Sequence, residues 1–371
     1  MTARPLARRP AALLAALFWL AGSQPAAAIS THRADVKAFV AQMADQYGFK
    51  KRAVRKWLDA AKSQPAILEA MEKPAEKAKP WYEYRPIFLN ERRIREGTEF
   101  WLAHRQELDR ASVRSGVPPE ILAAILGVET YYGRLTGSYR VIDALATLAF
   151  DYPPRSKFFT DELAQYLLLT RDLHLDPLSV KGSYAGAMGA PQFMPSNYRR
   201  FAVDADADGR VDLWSNWSDV CASVGNYLKE HGWNEGEPVL SEASVDPAKA
   251  DTLDGRKLAL EETVGSLKAK GVDFDSSSLP ADAPALLIAA DEPDGVHWRV
   301  GYNNFYAITR YNHSALYAMA VYELAAAVKQ QVLASDAQRG VPPSTAPPAA
   351  APPAAPPTPL AAGSAPPGNH P

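Results

Sequence analysis

Apolar residues recur at spacings of three and four along most of the chain between residues 30 and 335. This period is typical of helices that bury one face. It predicts helices over residues 34–47, 49–61, 66–71, 92–115, 143–150, 158–172, 217–229 and 312–329. Pro74 and Pro80 interrupt the pattern, as expected between helices. The pattern therefore predicts a mainly α fold.

Residues 237–298 depart from this helical pattern. Short apolar pieces at 238–240 and 285–288 are separated there by clusters of Asp, Gly, Ser and Pro. Such clusters are typical of turns between short strands. We therefore predict a small β-containing insertion within a central domain at residues 29–335.

The two ends of the chain differ from this central domain. Residues 1–28 contain a basic start, an apolar run at 11–21 and three alanines at 26–28, which is the pattern of a cleaved signal peptide. No cysteine lies at the predicted cleavage site, so we expect a periplasmic protein that is not lipid-anchored. Residues 336–371 are rich in Pro and Ala and predict a disordered tail.

Composition narrows the possible partners. The formal net charge is -2, with 40 basic and 42 acidic residues. This balance lacks the excess of positive charge that is typical of proteins that bind nucleic acid. The single cysteine, Cys221, excludes an internal disulfide and is predicted to be a small buried side chain.

One acid lies where the pattern predicts an apolar helix face. Residues 116–133 carry prolines near their start and end in glycine, which predicts a short helix. At about 100° per residue, Glu129 falls near the middle of a stripe formed by Ile121, Leu122, Ile125, Leu126 and Val128. Such a site favours the neutral acid, which can protonate a leaving group. A structural ion pair fits the same periodicity equally well.

An acidic segment follows at residues 204–212. Asp204, Asp206 and Asp208 occupy the first, third and fifth positions of an EF-hand calcium loop, and Gly209 follows at the sixth. Position 12 is Ser215 where an EF-hand carries glutamate, so Asp219 is the candidate closing ligand of a longer loop. A structural calcium site is the prediction, and a solvated acidic turn is the alternative.

Residues 181–198 interleave glycines and small residues with Tyr, Met, Gln and Phe. Glycine lets the backbone approach a ligand, and aromatic and amide groups suit sugar rings. A simple connecting loop has the same composition. The chain has no His-Glu-x-x-His zinc motif, no Gly-x-Ser-x-Gly elbow and no Walker phosphate loop.

Taken together, these segments resemble the membrane-bound lytic transglycosylase B family of peptidoglycan lyases, in a soluble form. The resemblance covers roughly residues 30–330 and rests on GVPPEI at 116–121, GVET at 127–130, ALATL at 144–148, GAMG at 186–189, QFMPS at 192–196, NYL at 226–228, NFY at 304–306, ITRYN at 308–312 and YAMAV at 317–321. It implies a lysozyme-like α-helical catalytic core at about residues 111–232, a flanking α domain, the β-containing insertion and an EF-hand-like calcium loop at 204–219.

The resemblance also assigns site residues. The catalytic glutamate of the family falls on Glu129. Its substrate contacts fall on Tyr84, Arg155, Ser183, Gln192, Tyr311, Asn312 and Tyr317, with Pro154 in place of a second arginine. Its structural calcium ligands fall on Asp204, Asp206, Asp208, the carbonyl of Arg210 and, with a one-residue insertion, Asp219.

The activity that the resemblance implies is cleavage of the β-1,4 bond between N-acetylmuramic acid and N-acetylglucosamine, with a 1,6-anhydromuramoyl product, in cell-wall turnover. A single acid suffices if the substrate supplies its own nucleophile, whereas most glycosidases need two. A two-carboxylate muramidase using Asp143 or Asp151 and a non-catalytic peptidoglycan-binding protein are the alternatives. The expected partners are glycan strands, with other cell-wall enzymes as further candidates, and the chain is expected to be a monomer. Dependence on stem peptides stays open.

Overall fold

The computed structural model describes residues 28–72, 79–276 and 279–340. The predicted signal peptide before Ala28 and the predicted tail after Gly340 lie outside these ranges. Within them, no helix has both the length and the apolar character that a membrane crossing requires.

Helices dominate the described chain, as predicted. In chain order they are α1 (Ala34–Tyr47), α2 (Lys51–Ala60), α3 (Pro65–Glu72), α4 (Trp81–Phe88), α5 (Glu91–Ala103), α6 (Arg105–Ser115), α7 (Pro119–Thr130), α8 (Val141–Asp151), α9 (Ser156–Asp172), α10 (Pro195–Phe201), α11 (Trp217–Glu230), α12 (Val264–Ala269), α13 (Asn303–Thr309) and α14 (Ala315–Gln338).

Two of the predicted helix boundaries are wrong. The single helix predicted over residues 92–115 is α5 and α6, because His104 leaves the helical conformation and its ring packs between Phe100 and Trp217, 4.8 and 4.9 Å away between centroids. The closing helix α14 continues past the predicted end at residue 329. The predicted tail therefore begins inside this helix, which ends at Gln338.

Helix α7 lies at the centre of the domain and contacts α5, α6, α11 and α14. Its residues from Ile121 to Gly127 are all buried, so the predicted single apolar stripe is wrong. A helix enclosed on most sides is apolar all round, and periodicity then marks no single face. Glu120, half-buried in the first turn of α7, pairs with Lys329 across 2.7 Å.

The strands form two antiparallel sheets. They are β1 (Tyr139–Arg140), β2 (Lys181–Gly182), β3 (Leu240–Val245), β4 (Glu262–Thr263), β5 (Val272–Phe274), β6 (Pro284–Glu292) and β7 (Gly295–Tyr302). The larger sheet has the order β4-β6-β7-β3-β5. Leu286 and Ile288 on one face join the main core, while Leu287 and Val300 on the other face pack with α12. A β-containing insertion is therefore present, as predicted.

Candidate active site

Glu129 lies in the last turn of α7 and is half-buried. Its Oε1 accepts a hydrogen bond of 2.6 Å from the hydroxyl of Tyr317, which is 2% exposed in the first turn of α14. Burial and the negative charge of Glu129 raise the pKa of Tyr317 well above its ordinary value, so the phenol stays a neutral donor. This bond fixes the orientation of the carboxylate.

Two further tyrosines surround this pair. Tyr311 donates to the carbonyl of Pro191 at 2.7 Å, and its ring packs edge-on against Tyr227 at a centroid distance of 4.8 Å. Burial and the charge of Glu129 raise the pKa of Tyr311. Burial raises the pKa of Tyr227 to about 12, with Glu129 acting in the same direction and Arg310 in the opposite one. Both phenols therefore lie within electrostatic range of the carboxylate.

Tyr227 belongs to this cluster but is not among the predicted site residues. It lies on α11 and donates to the carbonyl of Arg310 at 2.5 Å, which ties α11 to the turn before α14. A tyrosine at a helical apolar position looks like an ordinary core residue in sequence. The NYL motif at 226–228 contains Tyr227 without giving it a role, and its proximity to Tyr311 and Glu129 appears only in the structure, because these contacts join distant parts of the chain.

Tyr84 enters the cluster from α4, where it is 2% exposed between Trp81 and Phe88. It is one of the groups that raise the pKa of Tyr317, which places it close to the Glu129–Tyr317 pair. It is therefore part of the buried surroundings of this pair.

The glycine-rich loop is folded back on itself beside these tyrosines. Met188 and Phe193 exchange backbone hydrogen bonds of 2.9 and 3.0 Å, and the ring of Phe193 lies 5.9 Å from that of Tyr311. Ser183 Oγ accepts from the Ala187 amide at 3.1 Å. The side-chain amide of Gln192 donates to the carbonyls of Gly189 and Thr136, at 2.9 and 3.2 Å.

These bonds leave polar groups of the loop available. Within the described part of the chain, the Ser183 hydroxyl has no acceptor and Gln192 Oε1 has no donor. The backbone of the loop is held by its own hydrogen bonds. The loop thus presents one side-chain donor, the Ser183 hydroxyl, and one side-chain acceptor, Gln192 Oε1. An acetamido group, with one N–H and one carbonyl, needs one partner of each kind.

The two remaining predicted substrate residues lie differently. Asn312 is half-buried directly after Tyr311, and its carbonyl accepts from the Ser314 amide at 2.7 Å. Arg155 is exposed, with its guanidinium 4.4 Å from the centre of the Phe158 ring. Among the described contacts, none joins Arg155 to the Glu129 cluster.

Asp143 and Asp151, the candidate second carboxylates, are both engaged in ion pairs. Asp143 is 4% exposed and accepts two hydrogen bonds from Arg140, at 2.8 and 2.9 Å. Asp151 pairs with Arg33 at 2.5 Å and accepts from the Ser63 hydroxyl at 2.7 Å. These carboxylates join α8 to the N-terminal helices and have a structural role.

The acidic loop gathers three of its predicted carboxylates. Oxygens of Asp204, Asp206 and Asp219 all lie within 4.8 Å of one another. Asp219, in the first turn of α11, is fully buried and accepts from the amides of Ala205 and Asp212 at 2.8 and 2.9 Å. Burial raises its pKa, the two amides lower it, and the neighbouring acids raise it further.

Asp208 is not part of this trio, because its carboxylate accepts from the Arg210 amide at 2.8 Å. The oxygen-only donor set of the three clustered acids is the kind that a hard divalent cation prefers.

Comparison with known proteins agrees with this fold and site. Residues 31–326 match the family described as transglycosylase SLT domain. The chain is 40% identical over 304 residues to membrane-bound lytic murein transglycosylase B of Escherichia coli (strain K12), covering 79% of this chain and 82% of that protein.

Two solved structures are similar over most of their length. Soluble lytic transglycosylase SltB1 from Pseudomonas aeruginosa has a TM-score of 0.75 at 46% identity, covering 79% of this chain and 98% of that one. Escherichia coli lytic transglycosylase Slt35, solved in complex with calcium, has a TM-score of 0.75 at 37% identity, covering 83% and 97%.

The family match spans most of the chain, and the similar proteins are enzymes, which sets aside the non-catalytic alternative. The predicted resemblance and the lysozyme-like, mainly α fold class are confirmed. The chain therefore belongs to the transglycosylase SLT domain family, and it is a lytic murein transglycosylase that acts on peptidoglycan.

Proposed function

We propose that Glu129 acts first as the acid and then as the base of this lytic transglycosylase. Its carboxyl protonates the β-1,4 oxygen between N-acetylmuramic acid and N-acetylglucosamine as the bond from C1 to that oxygen breaks. It then takes the proton of the muramoyl C6 hydroxyl, whose oxygen bonds to C1 and closes the 1,6-anhydro ring. The proton count balances, and no water is consumed.

The observation that carries this proposal is the 2.6 Å hydrogen bond that holds Glu129 against Tyr317 within the tyrosine cluster. A catalytic acid must be held in place and partly shielded from water, and Glu129 meets both conditions. The ion pairs of Asp143 and Asp151 support a mechanism with one carboxylate, because neither acid is available as a second catalyst.

The neighbouring residues would bind and orient the sugar. Ser183 and Gln192 offer the donor and the acceptor for the muramoyl acetamido group, which can assist departure of the leaving group at C1. Tyr311, Asn312 and Tyr84 would shape the subsites around Glu129. Arg155, exposed beside Phe158, would contact the glycan strand further from the cleaved bond.

This mechanism is tested by digesting purified peptidoglycan sacculi with the protein and identifying the products. We expect soluble muropeptides that end in 1,6-anhydromuramic acid, because the substrate hydroxyl is the nucleophile. Mass spectrometry of the digest distinguishes these from the reducing ends that a two-carboxylate muramidase leaves. A digest made up of reducing ends would refute the mechanism.

We also propose a structural calcium ion at residues 204–219, held by Asp204, Asp206, Asp219, the Arg210 carbonyl and Asp208 after its side chain turns from the Arg210 amide. The similar Slt35 was solved with calcium, which supports this assignment. Three carboxylates near one point repel each other, and a bound cation would remove that repulsion. The ion would fasten the loop to α11 and take no part in the reaction.

Calcium should raise the melting temperature of the protein. At about a hundred times its dissociation constant it should add about 2.7 kcal/mol to the free energy of unfolding. Scanning calorimetry with calcium and with EDTA measures the shift. The Asp206→Asn variant should lose most of the calcium-dependent shift. The Asp246→Asn variant, which removes an exposed acid on another segment, should keep the shift. Equal melting temperatures with and without calcium would sink the assignment.

The same proposal extends to location. The sequence pattern of residues 1–28 supports removal of this segment on export to the periplasm, where the peptidoglycan substrate lies.

A further inference from the structure

Three cations lie along one exposed face of α2. Arg52, Arg55 and Lys56 follow the spacing that places side chains together on a helix surface, and all three are exposed. They line a surface depression of about 600 Å³ together with Asp59 and Ala60. We call these three side chains the α2 basic face. The protein as a whole has a formal net charge of -2, so this face is a local concentration.

The α2 basic face has no partner within the described part of the chain. None of its three side chains forms a hydrogen bond or ion pair with a described residue. The one acid at the depression, Asp59, accepts from the Thr31 hydroxyl at 2.7 Å. The face is therefore free to bind an anionic ligand.

The charges at the start of α2 are also unfavourable for the helix dipole. Lys50, Lys51 and Arg52 occupy its cap and first turn, and no acid is present there. Cations near a helix N-terminus oppose the helix dipole, which favours acids at that end. Departures from such local rules are expected where a surface serves function.

The position of α2 relates this face to the substrate loop. The carbonyl of Ala60, at the end of α2, accepts from Arg140 at 2.9 Å. Arg140 pairs in the β1–β2 ladder with Lys181, which is exposed and is followed by Gly182 and Ser183. The Ala60–Arg140 hydrogen bond and the Arg140–Lys181 pairing therefore connect the end of α2 to the strand that precedes Ser183.

We propose that the α2 basic face binds the carboxylates of peptidoglycan stem peptides while the glycan strand lies at Glu129. The inference rests on the proposed function. Lys56 and Arg52 lie roughly 6 and 12 Å along the helix from Ala60 at about 1.5 Å per residue. A stem peptide of four or five residues spans roughly 13–18 Å when extended, which is longer than the stretch of α2 from Ala60 to Arg52.

A peptide fits the face better than a membrane does. An interfacial helix inserts its apolar side chains into lipid, but Val54 and Leu58 of α2 are buried in the protein core. Trp57 packs on Phe49 at a ring distance of 6.1 Å. The exposed residues of this part of α2 are its charged ones, and the positive charge of the α2 basic face is complementary to the acidic peptides of the substrate.

The test compares two substrates made from the same glycan strands, one with stem peptides and one freed of them by an amidase. The triple variant Arg52→Gln, Arg55→Gln, Lys56→Gln should raise KM about tenfold on peptide-bearing strands, as three exposed ion pairs would. Its kcat should not change, and neither should its KM on peptide-free strands. High salt should remove the difference between variant and wild type.

A matched triple, Arg110→Gln, Lys249→Gln, Lys257→Gln, removes the same charge at other exposed positions and should behave as wild type. The α2 variant should melt no lower than wild type, because it removes cations from a helix start.

Equal KM changes on both substrates, or none on either, would overturn the inference. Loss of binding to phosphatidylglycerol vesicles without any KM change would overturn it in favour of a membrane. Wild-type products without anhydro ends would instead refute the role of Glu129, so the two failures are distinguishable.

Discussion

Glu129→Gln should lower the release of anhydromuramoyl products by about a thousandfold or more, since proton transfer by a positioned side chain contributes up to about 10⁴-fold. The amide cannot donate or accept the proton that the reaction moves. The carbonyl oxygen of the glutamine can still accept a hydrogen bond from the Tyr317 hydroxyl, which donates to Oε1 of Glu129 in the native protein. The melting temperature should therefore stay close to that of wild type. Product release from sacculi and thermal unfolding measure the two effects separately.

Glu120→Gln is the matched control on the same helix. Glu120 pairs with Lys329 at the protein surface, and no described hydrogen bond or ion pair joins it to the tyrosine cluster. Losing a pair of this kind costs at most about 1 kcal/mol, and activity should be unchanged. If Glu129→Gln retained wild-type product release, the assignment of Glu129 would be wrong.

Gly137→Ala should be the most destabilising small substitution near the site. Gly137 has φ of +97°, and an added Cβ would lie 2.1 Å from the carbonyl carbon and oxygen of Gly182 and 2.5 Å from the amide nitrogen of Ser183. Backbone atoms cannot yield as a flexible side chain can. Strain at positive φ and overpacking together should cost roughly 2–5 kcal/mol. Denaturant unfolding measures this loss, and activity should fall because Ser183 is displaced.

Gly48→Ala separates the two causes. Gly48 also has positive φ, at +73°, but an added Cβ there meets nothing within 4 Å. We expect this variant to lose only the conformational part, about 1–2 kcal/mol. Equal losses in the two variants would show that the close approach of Gly137 to Gly182 is not important.

Local sequence was enough to predict much of the helical framework. The predicted bounds of α1 agree with the structure, because its apolar residues mark one buried face and a glycine follows. The break at His104 was not predictable, since it depends on Trp217 from α11, more than a hundred residues along the chain. Periodicity also misjudged α7, because a helix that is enclosed on most sides has no polar face.

The site shows the same division between local and distant information. The family motifs identified Glu129 and Tyr317, and the structure joins them across a hydrogen bond between α7 and α14. Tyr227 lies in the family motif at 226–228, but the motif gives it no role, and its proximity to Tyr311 and Glu129 is visible only in the structure. Arg155 carries a motif match, yet its described contacts are with the exposed Phe158 and the buried Phe159.

The loop that was predicted to bind calcium gives a mixed result. Asp204, Asp206 and Asp219 converge, so an acid outside the usual twelve-residue spacing does reach the others. Asp208 fits the motif by position but bonds the Arg210 amide instead. Sequence spacing indicates which carboxylates can converge on one point, whereas local hydrogen bonds decide which of them do so.

The most direct test of the proposed mechanism follows the oxygen that becomes bonded to muramoyl C1. Purified sacculi are digested by the wild-type protein in water enriched in heavy oxygen, and the new muramoyl ends are analysed by mass spectrometry. A single acid–base catalyst with the C6 hydroxyl as nucleophile predicts 1,6-anhydro ends that contain no heavy oxygen. Reducing ends with heavy oxygen at C1 would show that water is the nucleophile and would contradict the mechanism.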